Sequence, residues 1–312
     1  MTSPSQTEQV DPEQVDPEQA ETPDLPVARR QREWLQTPKA AWKLRRTKIG
    51  VAFLVFVFVI AIFGPMLAPH SPTEFVGASF QLPSRVATLG TDYLGRDVLS
   101  RVLYGGRTTL VLALVATFIG EFFGLLLGLI AAYSRRGVDE TVMRLLDVVL
   151  AFPAIIFALL IVSVAGPNPW LIVVAVGFTH IPAVARVSRG VALRIVNLDF
   201  VKAAEALGMP KLSIMWSEIL PNITTPVLVD SGIRFAYSIS IIAALSFLGF
   251  GLQPPLADWG LMINENRIGI SAQPYALLAP ILMIAIATIG ANLVSDGMSR
   301  AIIGLDRKMA NQ

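Results

Sequence analysis

Residues 108–133 read TTLVLALVATFIGEFFGLLLGLIAAY, an apolar run interrupted by one charged side chain, Glu121. A helix of this length extends about 39 Å at about 1.5 Å per residue, enough to cross a hydrocarbon core of about 30 Å. A buried helix of a water-soluble domain seldom stays apolar on every face for so long. The stretch therefore reads as a transmembrane helix. Working outward, five further stretches share its character: roughly 49–68, 143–165, 169–190, 222–250 and 275–302. The fold class that follows is an all-α polytopic membrane protein with about six transmembrane helices.

Composition agrees. Of 312 residues 54% are hydrophobic and 15% charged, against about a quarter charged in soluble domains. Mean hydropathy is +0.60. The absence of cysteine excludes thiol catalysis, disulfides, Fe–S clusters and cysteine-rich zinc sites.

Loop charge gives the expected orientation. The segment before the first span is basic, the first outer loop at about 69–106 mixes both signs, and Arg135, Arg136, Arg194, Lys202, Lys211, Arg307 and Lys308 mark alternate connections. The connection Gly166-Pro167-Asn168-Pro169 is uncharged, and 251–274 carries Asp258, Glu265 and Arg267. The positive-inside rule then places both termini in the cytoplasm, as an even number of spans requires.

The chain divides into five segments. Residues 1–28 hold seven acidic side chains, no Lys or Arg, and a tandem Val-Asp-Pro-Glu-Gln element at 10–14 and 15–19; too little apolar surface predicts a disordered tail. Residues 29–48 form a basic juxtamembrane segment in which Trp34 and Trp42 stand among Arg and Lys, suited to anionic headgroups or, more blandly, to solvent. A cleaved signal peptide fits poorly, since the first apolar run begins late and is long. Residues 49–106 give the first span and an outer loop, 107–303 the remaining core, and 304–312 a cytoplasmic tail. Pro153, Pro182 and Pro280 predict kinks, while Gly120, Gly124 and Gly128 predict close helix packing.

The connection between the fourth and fifth spans is the most informative. It reads Asn197-Leu198-Asp199-Phe200-Val201-Lys202-Ala203-Ala204-Glu205-Ala206-Leu207-Gly208-Met209-Pro210. Asp199 suits an N-cap, Gly208 a left-handed C-terminal position, and Pro210 a stop. Phe200, Ala203, Ala204 and Leu207 are expected on one apolar face. A second amphipathic piece, with Leu212, Met215, Trp216 and Ile219 on one side, is expected before Leu220-Pro221-Asn222 opens the fifth span. Two short cytoplasmic helices at an angle need something to dock into, since a helix this short is marginal alone in water.

This block resembles the cytoplasmic signature of ATP-binding-cassette importer permeases: Glu-Ala-Ala, three residues, Gly, nine residues, then Ile-x-Leu-Pro. Ala203, Ala204, Gly208, Leu220 and Pro221 match, while Lys202 replaces the usual Glu and Glu218 the usual Ile. Further blocks resemble the second permease of dipeptide and oligopeptide importers: Leu89 to Arg101, Ser246 to Gly251 with Pro254-Pro255 and Asp258-Trp259-Gly260, and Asn292-Leu293 with Asp296-Gly297. The family's Asp-Pro-Arg near the C-terminus is Asp306-Arg307 here. The resemblance covers about residues 40–308.

It implies a type I importer permease fold. It also implies a homologous second permease, two ATPase subunits (or one fused) carrying ATP and Mg2+, an extracytoplasmic binding protein, surrounding lipid, and no nucleic acid. Phe200, Lys202, Ala203, Ala204, Glu205, Leu207, Gly208 and Pro221 are the expected coupling residues. Gly95, Arg96, Asp97, Asp258 and Trp259 are candidates for docking the binding protein or for organising the outer loop. Relatives carrying nickel complexes, opines or other small solutes share these blocks.

No cofactor site is expected within the chain, which lacks a Gly-Lys-Ser/Thr phosphate loop. His70 and His180 have no metal-ligand spacing, and no Gly-x-Ser-x-Gly element is present, so neither catalytic nor metal residues are expected. Glu121 stands mid-span as a candidate for a path or gate, or as a hydrogen-bonded interface residue. A stand-alone secondary transporter using Glu121, or a non-transporting scaffold recruiting a partner through 199–217, are the rival readings. Asp230/Arg234, Asp296/Arg300 and Asp147 with Arg144 are expected ion pairs.

Overall fold

The computed structural model describes residues 38–310 except Arg135 and Pro167, with side chains described through Gly304. The acidic tail 1–28, the residues 29–37 with Trp34, and the side chains of Arg135, Arg307 and Lys308 fall outside the described residues. The elements are all helical: α1 (Arg45–Leu67), α2 (Val98–Tyr133), α3 (Arg136–Leu150), α4 (Ala154–Ala165), α5 (Pro169–Val196), α6 (Asp199–Ala206), α7 (Lys211–Phe247), α8 (Trp259–Asn266) and α9 (Tyr275–Ala310). Among the described residues β-type pairing is limited to two isolated bridges, Phe75–Arg96 and Thr91–Asp97.

Five helices are long and apolar enough to cross a membrane, and six spans result if α3 and α4 count as one. The expected third span, 143–165, is therefore corrected: it is broken, bent by 80° between Leu150 and Ala154. Pro153 explains the break, because it lacks an N–H and disfavours helical geometry in the residue before it. The amphipathic α3 is tied by Asp139 to Arg189 and by Asp147 to Arg186, both on α5. Arg144 is not the partner of Asp147.

The fifth span also differs. The piece 211–219 is continuous with it, joined through a π-helical turn at Met215–Ile219. Pro221 offers no N–H to the preceding turn, and Asn222 Nδ2 donates to the Glu218 carbonyl at 2.6 Å. Gly249 and Leu248 end the helix earlier than expected, with Gly249 at φ +85°.

Small residues bring the spans together. On α2, a Cβ added to Gly120 would meet His180 Cβ at 2.5 Å, one on Gly124 would meet Val184 Cβ at 2.5 Å, and one on Gly128 would meet the Ala185 carbonyl at 2.6 Å. Gly177 of α5 reciprocates against the Ala116 carbonyl. The glycine stripe thus lets α2 and α5 touch nearly backbone to backbone. Gly50 of α1 meets Gly290 of α9 in the same manner.

Two large apolar clusters follow, beside a small one of Leu146, Ile181 and Ala185. A central one includes Val57, Ala113, Ala116, Val176, Ile239, Ile242, Met262 and Ala287. A second sits at one end of the bundle and joins Leu129 and Tyr133 of α2, Ile195 of α5, Val201 and Ala204 of α6, and Ile214 and Ile219 of α7.

Replacing Gly124 by Leu is expected to separate α2 from α5 and lower stability by about 1–3 kcal/mol, read as a depressed thermal midpoint in detergent. An unchanged midpoint would show that the seam can open without loss.

Candidate functional site

The site begins where α5 ends. Leu198 is the N-cap of α6 and gives no side-chain cap, so Asp199 is the first helical residue and not the capping one. Its carboxylate lies 3.7 Å from Lys202 Nζ. After Ala206 the chain closes in a Schellman turn: Gly208 N–H donates to Glu205 O (3.0 Å) and Met209 N–H to Ala204 O (3.1 Å), with Gly208 at φ +75°. Open space surrounds the Gly208 Cα, so its requirement is conformational and not steric.

The buried face of α6 is Val201 and Ala204, with Phe200 half-buried. The expected face of Phe200, Ala203, Ala204 and Leu207 is corrected: Ala203 is exposed and Leu207 is 83% exposed. Seating is decided by Val201, which fits between Ile195 and Ile214 in the end cluster, and this turns Leu207 outward. The Tyr133 hydroxyl at the end of α2 donates to Glu205 Oε1, and Lys211 Nζ stands 5.8 Å from the same ring. Sequence spacing alone did not reveal that Tyr133 anchors α6; its place as the last residue of an apolar run was the only signal.

On the outside of this segment Lys202, Ala203, Leu207, Leu212 and Trp216 form an exposed strip, Leu212 being 64% and Trp216 50% exposed. Met215 and Ile219 point inward. Pro221 is exposed one turn further on. One side of the segment is locked to three helices and the other offers apolar groups beside a cation.

At the opposite end of the bundle the outer-loop candidates are not exposed. Arg96, Asp97, Asp258 and Trp259 are each 3% exposed or less, which corrects their expected exposure and agrees with the reading in which they organise the outer loop. Their burial has a cause in charge pairing. Arg96 Nε donates to Asp92 Oδ2 at 2.7 Å, Arg101 Nη1 bridges Asp92 and Glu265, and Arg96 also reaches Glu265 at 3.2 Å. Two guanidinium groups and two carboxylates neutralise one another, which makes burial tolerable. Burial, with Glu265 adding to it, raises the pKa of the adjoining Tyr93 phenol.

The rest is loop carpentry. Asp97 caps α2, accepting from Ser100 N–H at 2.9 Å as expected. Gly95 adopts φ +82° where a Cβ would strike the Gly77 carbonyl. Trp259 fills the space beside Gly105 and Gly106 and donates its indole N–H to Val102 O at 2.9 Å. Asp258 caps α8 through Leu261 N–H at 2.9 Å and lies 2.8 Å from Thr109 Oγ1. No cation faces Asp258 among the described ion pairs, and burial pushes its carboxyl pKa up.

Within the spans, both Glu121 carboxylate oxygens are buried and make no hydrogen bond. They lie near Ser231 and the Asp230–Arg234 pair of α7, whose two contacts are 3.0 Å each. A hydrogen-bonded chain runs beside it, from Thr117 Oγ1 to Ser238 Oγ (2.9 Å) and from there to His180 Nε2 (2.9 Å). From sequence His180 is weighed only as a metal ligand and set aside, and no spacing ties it to Ser238. Between α7 and α9 a half-open groove of about 520 Å3 is lined in part by Tyr237, Ser240, Thr288, Asn292, Ser295 and Asp296. Asp296 is held by Arg46 and Arg300, each at 3.1 Å, and these ion pairs hold its carboxylate at one mouth of the groove.

Known proteins resemble this chain in sequence and in fold. Residues 124–307 match the family described as binding-protein-dependent transport system inner membrane component, and residues 40–83 match the N-terminal TM domain of oligopeptide transport permease C. The dipeptide transport system permease protein DppC of Alkalihalophilus pseudofirmus is 34% identical over 277 residues, covering 88% of this chain and 90% of that protein. The glutathione transport system permease protein GsiD of Pectobacterium atrosepticum is 34% identical over 285 residues, covering 89% and 94%. A chain of the MetNI methionine ABC transporter, in an inward-facing conformation, superposes with a TM-score of 0.52 at 18% identity over 64% of this chain and 95% of that one; it shares the fold.

Asp258 gives a pH prediction. Its folded pKa is raised, so the folded state holds the proton more tightly than the unfolded one; that contribution is full below the ordinary carboxylate range and is lost as pH rises through the folded value. Asp258→Asn keeps the Leu261 cap without the charge. Its thermal midpoint relative to the parent is expected to rise as pH climbs above the ordinary carboxylate range and to level off once the parent's buried carboxyl has ionised. A difference that is constant with pH would mean the parent carboxylate is not burdened by its burial.

Proposed function

The chain belongs to the family of binding-protein-dependent transport system inner membrane components, and on that premise we propose how its geometry serves a permease subunit of an ATP-driven importer of short peptides. It is a multi-pass protein of the inner membrane. The peptide substrate is supported by relatives named for dipeptide, di/tripeptide and glutathione transport.

One observation carries the coupling assignment. The segment 199–216 is immobilised on its inner side by Val201, Ala204 and the Glu205–Tyr133 contact, yet presents Leu207, Leu212 and Trp216 bare on its outer side. Exposed apolar residues on a short, well-anchored helix suit the groove of a partner subunit. In this reading that partner is one of two ATPase subunits that bind ATP and Mg2+, a homologous permease completes the path, and an extracytoplasmic binding protein delivers the solute. Lys39, Lys43, Arg45, Lys48, Arg194, Lys202 and Lys211 gather at the α6 end, which favours placing that end and both termini in the cytoplasm.

Motion follows from the attachments. A push on α6 reaches α2 through Tyr133 and α7 through the continuous 211–219 turn, so the two helices flanking Glu121 move together. Glu121 beside the Asp230–Arg234 pair is then a polar gate that such a movement rearranges, and the groove between α7 and α9 is a stretch of the path. Rigid-body rocking of packed helices is the expected form of that motion.

Gly208→Val tests the coupling. A β-branched residue at φ +75° costs about 1–3 kcal/mol of local strain while meeting no neighbour. Normal membrane insertion is expected, with dipeptide uptake and binding-protein-stimulated ATP hydrolysis both reduced at least about tenfold, and Gly208→Asn close to the parent. Full uptake with full stimulated hydrolysis in the valine variant would remove α6 from the coupling role.

A further inference from the structure

The exposed side of α1 and α2 carries a feature that the proposed coupling and path do not use. A groove of about 370 Å3 separates the two helices, walled by Phe58, Ile62, Leu110, Val111 and Leu114, with Arg107 at one end. Val111 and Ile62 are 51% and 62% exposed, so the groove opens outward from the bundle. Arg107 is exposed, and among the described residues its guanidinium has no carboxylate, carbonyl or aromatic partner.

Depth distinguishes this arginine. Tyr133 marks the α6 end of α2. Arg107 lies 26 residues before it, about 39 Å along the axis at about 1.5 Å per residue. That distance is one hydrocarbon core of about 30 Å plus part of a headgroup layer. Leu110, Val111 and Leu114 then fall one to two turns deeper, where acyl chains lie, and Phe58 and Ile62 face them from α1. A cation at headgroup depth above an apolar channel is complementary to an amphiphile carrying a phosphate over an alkyl chain. Inorganic phosphate would meet one guanidinium and no second donor. Apart from Arg107 the lining is wholly apolar, so an extended polypeptide segment laid in the groove would leave its backbone groups unpaired.

We propose that the α1–α2 groove binds one anionic phospholipid, its phosphodiester on Arg107 and one acyl chain between Phe58 and Leu114. The site lies in the leaflet opposite the α6 end. It sits on the same helix whose other end anchors α6 through Tyr133, so the bound lipid braces the far end of the element that coupling moves.

The test uses tagged chain isolated from its membrane with its co-purifying subunits, placed in phosphatidylcholine nanodiscs with graded phosphatidylglycerol and read by native mass spectrometry. The parent is expected to retain one phosphatidylglycerol more than Arg107→Gln, which needs about fivefold more of that lipid for equal occupancy. Val111→Trp, which fills the groove and leaves Arg107 in place, is expected to lose the same molecule, and Arg107→Lys to keep most of it. Equal retention by the parent and Arg107→Gln overturns the proposal, as does retention by Val111→Trp. Phosphatidylcholine held as firmly as phosphatidylglycerol, or displacement of the lipid by millimolar inorganic phosphate, overturns it too. Loss of another polypeptide from Arg107→Gln would instead make Arg107 a subunit contact.

Discussion

The close approach of α2 to α5 is the constraint on which the rest of the molecule depends. Helices in lipid gain little from burying apolar surface against one another, since lipid tails are equally apolar. What remains is contact area, and Gly120, Gly124, Gly128 and Gly177 maximise it by bringing backbone against backbone. The consequence lies at the end of the seam. With the axes fixed, Tyr133 and Ile195 arrive side by side, and together they form the floor on which Val201 and Ala204 rest. An eight-residue helix is too short to be stable in water by itself. Here α6 borrows its stability from a seam between two other helices.

The opposite end obeys a different economy. Residues 68–97 and 248–274 would expose many backbone groups if left loose. They interlock through the Asp92–Arg96–Arg101–Glu265 cluster, the Tyr93 N–H to Asn266 bond at 3.0 Å, and Gln273 Nε2 to Leu89 O at 2.6 Å. Burying four charges is expensive, and the cluster is tolerable only because it is neutral and multiply bonded. It is not fully satisfied: Arg101 Nε and Nη2 lack partners. Such a cluster fixes geometry more than it adds stability, which suits a cap that must hold the outer ends of α2 and α9 in register.

Much of this was legible in the sequence, because the bilayer permits so few solutions. Backbone polar groups must be satisfied within each segment, so long apolar runs have to be helices, and counting them gave the fold. The glycine stripe and the Gly208 turn were legible for a related reason: both depend on the absence of a side chain, which a sequence states directly. What could not be read was rotation and pairing. The face of α6 is set by where Val201 fits among Ile195 and Ile214, residues with no local signal linking them. Asp147 chose Arg186 of another helix over Arg144, three residues away, because α3 crosses α5 there. The outer-loop charges looked exposed because charged residues usually are, and only their long-range pairing with Glu265 explains why they are not.

The two ends differ in a way that bears on how a solute path opens. At the capped end the contacts are ionic, buried and directional, so α2 there can move only with the loops it carries. At the α6 end the contacts are mostly apolar, joined by one Tyr133–Glu205 hydrogen bond, and apolar surfaces slide at lower cost than ion pairs separate. Between them lie Glu121, without a hydrogen bond, and the Asp230–Arg234 pair on the neighbouring helix. On the proposed coupling role, a push delivered through α6 meets the ionic cap as the stiffer of the two attachments of α2, so α2 would tilt about the capped end. Such a tilt would be largest at α6 and would still reach Glu121. The polar groups in the middle of the span are therefore placed where a modest tilt changes their neighbours, while the cap above them stays as it is.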